Sequence, residues 1–476
     1  MIWLAALVLA PVAFAMLLHP GARLFLVMAA ASVVFTSGNA TIGPKLVFVT
    51  LLVISSAISM LRLRNTAVRP SGGLIAALLC YTAVILITAL EGWTNDPQST
   101  LQNALPYVLL ILLLPMALDA GQGSSERLLE TTMLLGGLVS AISFTVLWLT
   151  LRGISALGID RLLATSFLLP ALVFQWGLVT AGDPSRPRRT RLLATSTALL
   201  IPFAFLITGM RTTFVLAAGI LGFIVWALRN RRIFRSVISM TIIIAIAGPA
   251  LLWVTTQLLR NTVWILARFR EFQLNFSYGF ESDMSWQGRQ MQTQAAKDLL
   301  EGYWLFGRGL STPNPILNMD TPLASAMRIG LGGTFFLALF VIIALKWSMS
   351  IAPATPRGDS IKGMIFGWML TVGAYALILT PLHDPLFPFA FAFAIALAVN
   401  SRYAHERDLN PESGDVTHRE QQAPRSNLNF KRVGSHRPTS PRSRQRREHS
   451  PRLSGTSAGE PLLRCAGPTP SYLQNL

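Results

Sequence analysis

Apolar runs about 15 to 25 residues long recur along the first 400 residues, separated by charged or Pro/Gly-containing breaks. A helix needs about 20 such residues to cross a hydrocarbon layer and a strand about half as many, so the runs predict helices. Spans are expected near 2–18, 22–36, 45–61, 73–90, 102–118, 132–151, 162–181, 192–208, 212–228, 237–258, 330–346, 363–380 and 385–399. The first run lacks a basic leader and is followed at once by another apolar run, so it reads as a span rather than a signal peptide. Composition agrees: the chain is 52% hydrophobic and only 13% charged, with a mean hydropathy of +0.50, too little polar surface for a water-soluble domain of 476 residues. The expected fold is an all-α polytopic membrane protein with about 12–13 transmembrane helices over residues 1–400.

Arginine placement predicts orientation. The connection 229–236 carries Arg229, Arg231, Arg232 and Arg235 without an acid, and 182–191 carries Arg186, Arg188, Arg189 and Arg191 against Asp183. Both are expected to face the cytoplasm, and 62–72 and 347–362 fit the same alternation. The opposite side then receives 91–101, 152–161, 381–384 and the long connection 259–329, whose seven basic and six acidic residues give no inward bias. A connection of that length among tight turns usually carries function.

From 401 to 476 the aliphatic residues give way to Ser, Pro, Arg, Gln and His, as in SHRPTSPRSRQRREHSPR, so a basic, disordered cytoplasmic tail is expected. It lies near anionic lipid on one reading; regulation through its Ser-Pro sites is the other. The formal net charge of +18 reports orientation and membrane lipid as a partner, so nucleic acid is not expected to be one. Cys80 and Cys465 fall in different compartments and form no disulfide framework.

No Walker loop, dinucleotide fingerprint, zinc spacing or Gly-x-Ser-x-Gly elbow occurs, and neither a cofactor nor a metal is expected. Charges inside the spans are scarce, which weakens an ion-coupled transporter. Two features on the outer side remain. In LITGMRTTFVLAAG (206–219), Arg211 follows Gly209 where two spans almost meet; it is either a helix-end anchor or a guanidinium aimed at a phosphate. In SWQGRQMQTQAAKDLLEGYWLFGRGL (285–310), residues 287–301 read as an amphipathic helix with Met291, Ala295 and Leu299 on its apolar stripe and Arg289 away from it. Gly307 and Gly309 then permit a close backbone approach to a ligand, beside a second cation, Arg308.

The order of these pieces, an arginine after TG at the start of a span, a long external loop with its arginine and helix, a WLFGxG turn and a span opening GLGG, resembles the O-antigen ligase and O-antigen polymerase superfamily over about 190–350. The resemblance implies a bacterial inner-membrane glycosyltransferase that takes glycan from an undecaprenyl diphosphate carrier at the outer face. A chain-length regulator or other envelope-assembly proteins are implied as partners. It also implies that Arg211 and Arg289 bind the carrier's diphosphate, whose departure fixed cations stabilise. The ligases carry a histidine shortly before the span matching 330–346; here the segment reads NMDTPLASAMRIGLGG, with Asp320 in that region. Asp320 or His383 of LHDPLF is the candidate base, against plain readings as a cap residue and an interfacial turn. The departure favours polymerase over ligase. The alternatives are a transporter or flippase of lipid-linked oligosaccharide and a non-enzymatic envelope assembly protein.

Overall fold

The computed structural model describes residues 13–36, 42–63, 68–124, 127–138, 167–181, 186–208, 284–311, 321–384 and 386–409, with short pieces and isolated positions between them. The expected spans 2–18, 132–151 and 212–228 lie mostly outside the described residues, 237–258 lies partly outside them, and the chain from 410 lies wholly outside them. Among the described residues the regular structure is helical and no strand occurs. The helices are α1 (Pro20–Thr36), α2 (Ile42–Leu63), α3 (Gly72–Asn95), α4 (Pro97–Gly123), α5 (Leu168–Ala181), α6 (Arg188–Thr208), α7 (Met284–Leu300), α8 (Ala324–Ile351), α9 (Pro356–Ala376) and α10 (Phe387–Leu409). Five of them, α2, α3, α4, α8 and α10, are long and apolar enough to cross a membrane. The chain is an all-α membrane protein.

Helices α4 and α10 form the centre. Helix α4 packs on α1, α2, α3 and α10, while α10 also meets α5, α8 and α9. Every residue of α10 from Phe387 to Ser401 is buried. Its sequence, FPFAFAFAIALAV, explains why: phenylalanine supplies packing volume and the intervening alanines let neighbours approach closely. At the closest point a Cβ on Gly121 would stand 2.6 Å from Val399 Cβ and 2.7 Å from Ala396 O, so only glycine fits. Asn400 then donates from Nδ2 to the carbonyls of Gly121 (2.9 Å) and Ser124 (3.0 Å), supplying partners to the end of α4.

The observed helix bounds differ from the expected spans, as α9 and α10 show. Helix α9 begins at Pro356, capped by Thr355 Oγ1 accepting from Gly358 N–H at 3.1 Å, and ends at Ala376 rather than 380. Helix α10 runs eight residues past 401, to Leu409, with Arg402 and Glu406 paired at 2.6 Å. The tail expected from 401 therefore opens with a helical continuation of the last span.

The bundle has two chemically distinct ends. At the basic end, where α1 starts and α2 and α4 finish, the fully buried Arg23 donates from Nη1 to Asp119 Oδ2 (2.8 Å) and Ser59 Oγ (2.6 Å), and from Nε to Leu17 O (2.7 Å). This is an ion pair inside the bundle that the expected scarcity of span charges did not anticipate. Nearby, in the helical stretch 127–138, buried Glu130 faces Arg186 Nη1 at 3.4 Å and Thr180 Oγ1 at 3.3 Å. Burial raises the Glu130 pKa above its ordinary value, with Arg186 and Thr180 opposing the shift. At the other, loop end, α3 passes to α4 through Asp96, whose side chain accepts from Gln98 and Ser99 and caps α4.

Candidate functional site at the loop end

Segment 321–332 organises the loop end. Its first residue, the buried Thr321, shares a hydrogen bond of 3.1 Å with Thr293 of α7. Arg289 and Thr293 are four residues apart on one helix and so share a face. The structure thus sets the Arg289 face of α7 beside the residue that follows Asp320. Four residues on, Ser325 and Thr380 hydroxyls meet at 2.5 Å, joining the same segment to the chain just before the 3-10 turn Pro381–His383. Next, Arg308 N–H donates to Met327 O at 2.8 Å. The regions bearing Arg289, Arg308 and His383 therefore converge on one strip of chain. Arg211 and Asp320 lie outside the described residues, as do the side chains of Arg289 and His383.

Helix α7 is present where the sequence places an amphipathic helix, starting at Met284 and ending at Leu300. Its buried face differs from the expected stripe. Ala296 and Leu300 pack on Ala324, Ala326 and Met327, with Ala295 and Leu299 at the margin, whereas Met291 is 68% exposed. Packing against a protein surface of small side chains, rather than a uniform apolar medium, selects the alanine and rotates the contact by about one residue, roughly 100°.

The turn after α7 is fixed by glycines. Gly302, Gly307 and Gly309 all have positive φ, at 81°, 74° and 79°. The close approaches of Gly307 and Gly309 are to this chain's own backbone: a Cβ on Gly307 would lie 2.5 Å from Gly330 N, and one on Gly309 3.3 Å from Gly92 N. The turn's amides are engaged as well, Gly307 N–H with Tyr303 O (2.8 Å) and Leu310 N–H with Thr88 O (3.3 Å). Asn103 Nδ2 holds Leu310 O at 2.7 Å. The expected backbone cradle for a ligand is thus a rivet between 301–311, α3 and α8. Arg308 Nε donates to Leu299 O at 2.6 Å and its guanidinium carbon stands 4.9 Å from the Tyr303 ring centre, which places an exposed cation at the C-terminal end of α7.

Gly330, with φ 71° and ψ 174°, interrupts α8. The amides freed below the break, Leu331 and Gly332, donate to Trp304 O (2.8 Å) and Leu305 O (3.1 Å). The turn therefore supplies the acceptors for the start of the apolar part of α8. On the far side, the buried carboxylate of Asp384 accepts from Phe167 N–H (2.6 Å), Leu168 N–H (2.5 Å) and Leu386 N–H (3.0 Å). It anchors the turn ending at His383 to the start of α5 and, through Leu386, to the chain entering α10, where a negative charge is favoured. Sequence reasoning missed Asp384, although an acid followed by Pro385 before an apolar run is a legible capping signal.

Between α8 and α9 an apolar groove of about 370 Å³ runs from Leu345 and Phe366 past Leu337 and Met369 to Ser325 and Thr380. Its loop end touches Pro322 and Pro381, next to the converging segments. No protein-family model and no curated protein matches the chain.

Proposed function

We propose that the chain is an integral membrane glycosyltransferase that moves glycan from an undecaprenyl diphosphate-linked donor at the outer face of the bacterial cytoplasmic membrane, of the O-antigen polymerase or ligase type. The observation that carries this reading is the convergence on 321–332 of the Arg289 face, the Arg308 turn and the approach to His383, at the mouth of an apolar groove. A polyprenyl-linked sugar needs this combination: an apolar path for the carrier, cations for the diphosphate and a base at the membrane boundary.

In the proposed reaction Arg289 and Arg211, with Arg308 nearby, hold the diphosphate. An acceptor hydroxyl attacks the anomeric carbon of the donor sugar as its proton passes to Asp320 or His383. The bond from that carbon to the diphosphate oxygen breaks, and the carrier diphosphate leaves with the electron pair, its charge stabilised by the guanidinium groups. Gly307 and Gly309 contribute by fixing Arg308. Against a transporter or flippase, the two buried ion pairs described above lie at the basic end, and the groove's described lining is apolar apart from three hydroxyl-bearing side chains.

Alanine at Arg211 or Arg289 is expected to abolish glycan transfer in cells at unchanged protein level, a loss of about 3–4 kcal/mol or roughly a hundred- to a thousand-fold in rate. Lysine is expected to rescue poorly, because a point charge lacks the bidentate fork. Near-normal glycan output from both alanine variants overturns the reading. With purified protein, elongation of the lipid-linked glycan identifies a polymerase, and transfer to a lipid A core identifies a ligase.

A further inference from the structure

We propose that the turn Tyr303–Phe306 is a membrane-insertion element, seating the α7 segment on the bilayer by placing its side chains in the interfacial layer of the leaflet at the loop end. Four consecutive large side chains are exposed there: Tyr303 by 48%, Trp304 by 44%, Leu305 by 62% and Phe306 by 57%. A floppy loop would hide such groups, but this one cannot turn them inward. Its backbone is bonded to Leu331 and Gly332, and left-handed glycines fix both of its ends.

The occupant of this surface follows from its level. The turn caps α8 at Gly330–Gly332, and the exposed face of α8 continues directly through Leu331 and, one turn deeper, Phe335. That face belongs to a membrane-crossing helix, so the aromatic turn extends a lipid-facing surface upward to its boundary. Gly309 against Gly92 sets the same turn level with Trp93, itself 51% exposed at the end of α3. Tryptophan and tyrosine collect at this depth in bilayers because the ring is apolar and its N–H or O–H seeks the wet side. The inference needs only the membrane and is independent of the chemistry proposed above.

The test uses the full chain with Cys80 and Cys465 replaced by serine, Trp304 or, separately, Leu305 replaced by cysteine, and an environment-sensitive fluorophore attached. In nanodiscs of phosphatidylethanolamine and phosphatidylglycerol, the probe at either position should emit at shorter wavelength than one at Gln290, an exposed position of α7. Lipids carrying a nitroxide near the head group should quench the 304 and 305 probes several-fold more than they quench the 290 probe, and aqueous iodide should do the reverse. Iodide quenching at 304 and 305 equal to that at 290, with no response to lipid nitroxide, overturns the proposal. Protection from both quenchers also overturns it, since a protein surface would then cover the turn.

Discussion

At the scale of single residues, this protein concentrates its costly groups at the two ends of the bundle. The Arg23–Asp119 pair is sealed from solvent, so removing one partner leaves an uncompensated buried charge. Asp119→Ala is expected to destabilise the detergent-purified protein by about 3–5 kcal/mol, whereas Arg23→Met combined with Asp119→Leu should come close to wild type. Thermal unfolding of the single and double variants decides this; equal losses in both would mean the pair contributes packing rather than charge. Glu130 behaves differently, because burial raises its pKa in the folded protein. The folded state therefore holds the proton more tightly than the unfolded chain, and the contribution is fully present below the ordinary value of 4.5 and lost as pH rises through the elevated one. Glu130→Gln should remove that slope, so its melting temperature relative to wild type should increase from pH 4.5 upward; a difference independent of pH would refute the assignment. The Arg23–Asp119 pair did not stand out in the sequence, since one charge barely lowers the mean of an apolar run and its partner lies 96 positions away.

At the scale of elements, hydropathy made most helices legible because lipid imposes a length that few other environments impose. What it did not reveal was where each helix begins and which way it faces. Helix α9 starts seven residues before its apolar run because Thr355 and Pro356 form a capping pair outside hydrocarbon, which an average over a window cannot register. The apolar face of α7 was misjudged by one residue because its contact surface, Ala324, Ala326 and Met327, is remote in sequence. Cysteine labelling separates the two faces: Met291→Cys should react freely with an impermeant maleimide, and Ala296→Cys should resist. The reverse pattern would restore the sequence-derived stripe. The Gly-x-Gly turn was legible as a site of close approach but not as to what approaches, since a phosphate and a neighbouring backbone make the same demand for a missing Cβ. Gly307→Ala puts a side chain against Gly330 at a positive φ and should lower the melting temperature, with a cost of about 1–3 kcal/mol. Unchanged stability would show that the rivet between the turn and α8 gives way easily.

At the scale of the whole molecule, the arginine distribution predicts which side of the membrane each end occupies. A reporter active only in the cytoplasm should work when fused after Leu409 and fail when fused near Ser285; the opposite result would move the proposed chemistry to the wrong compartment. Deleting the chain beyond Leu409 should spare glycan output if the proposed site at the loop end carries the chemistry. The candidate site itself was only half legible: Arg289, Arg308 and His383 stood out by residue type, but the convergence of the segments that carry them depends on hydroxyl contacts such as Ser325 with Thr380, 55 positions apart, for which a sequence carries no pattern. The pairing of α4 with α10 has a bearing on biogenesis. Asn400 reaches across 279 positions to Gly121, so the ribosome delivers the buried α10 after the described helices α1 to α9. Until then the early helices wait around an unfilled axis, with the carbonyls at the end of α4 lacking their partner. Arrival of α10 is thus a completion signal, and chains that stop short of Phe387 should be short-lived in pulse-chase experiments, cleared by membrane proteases that recognise an unclosed bundle.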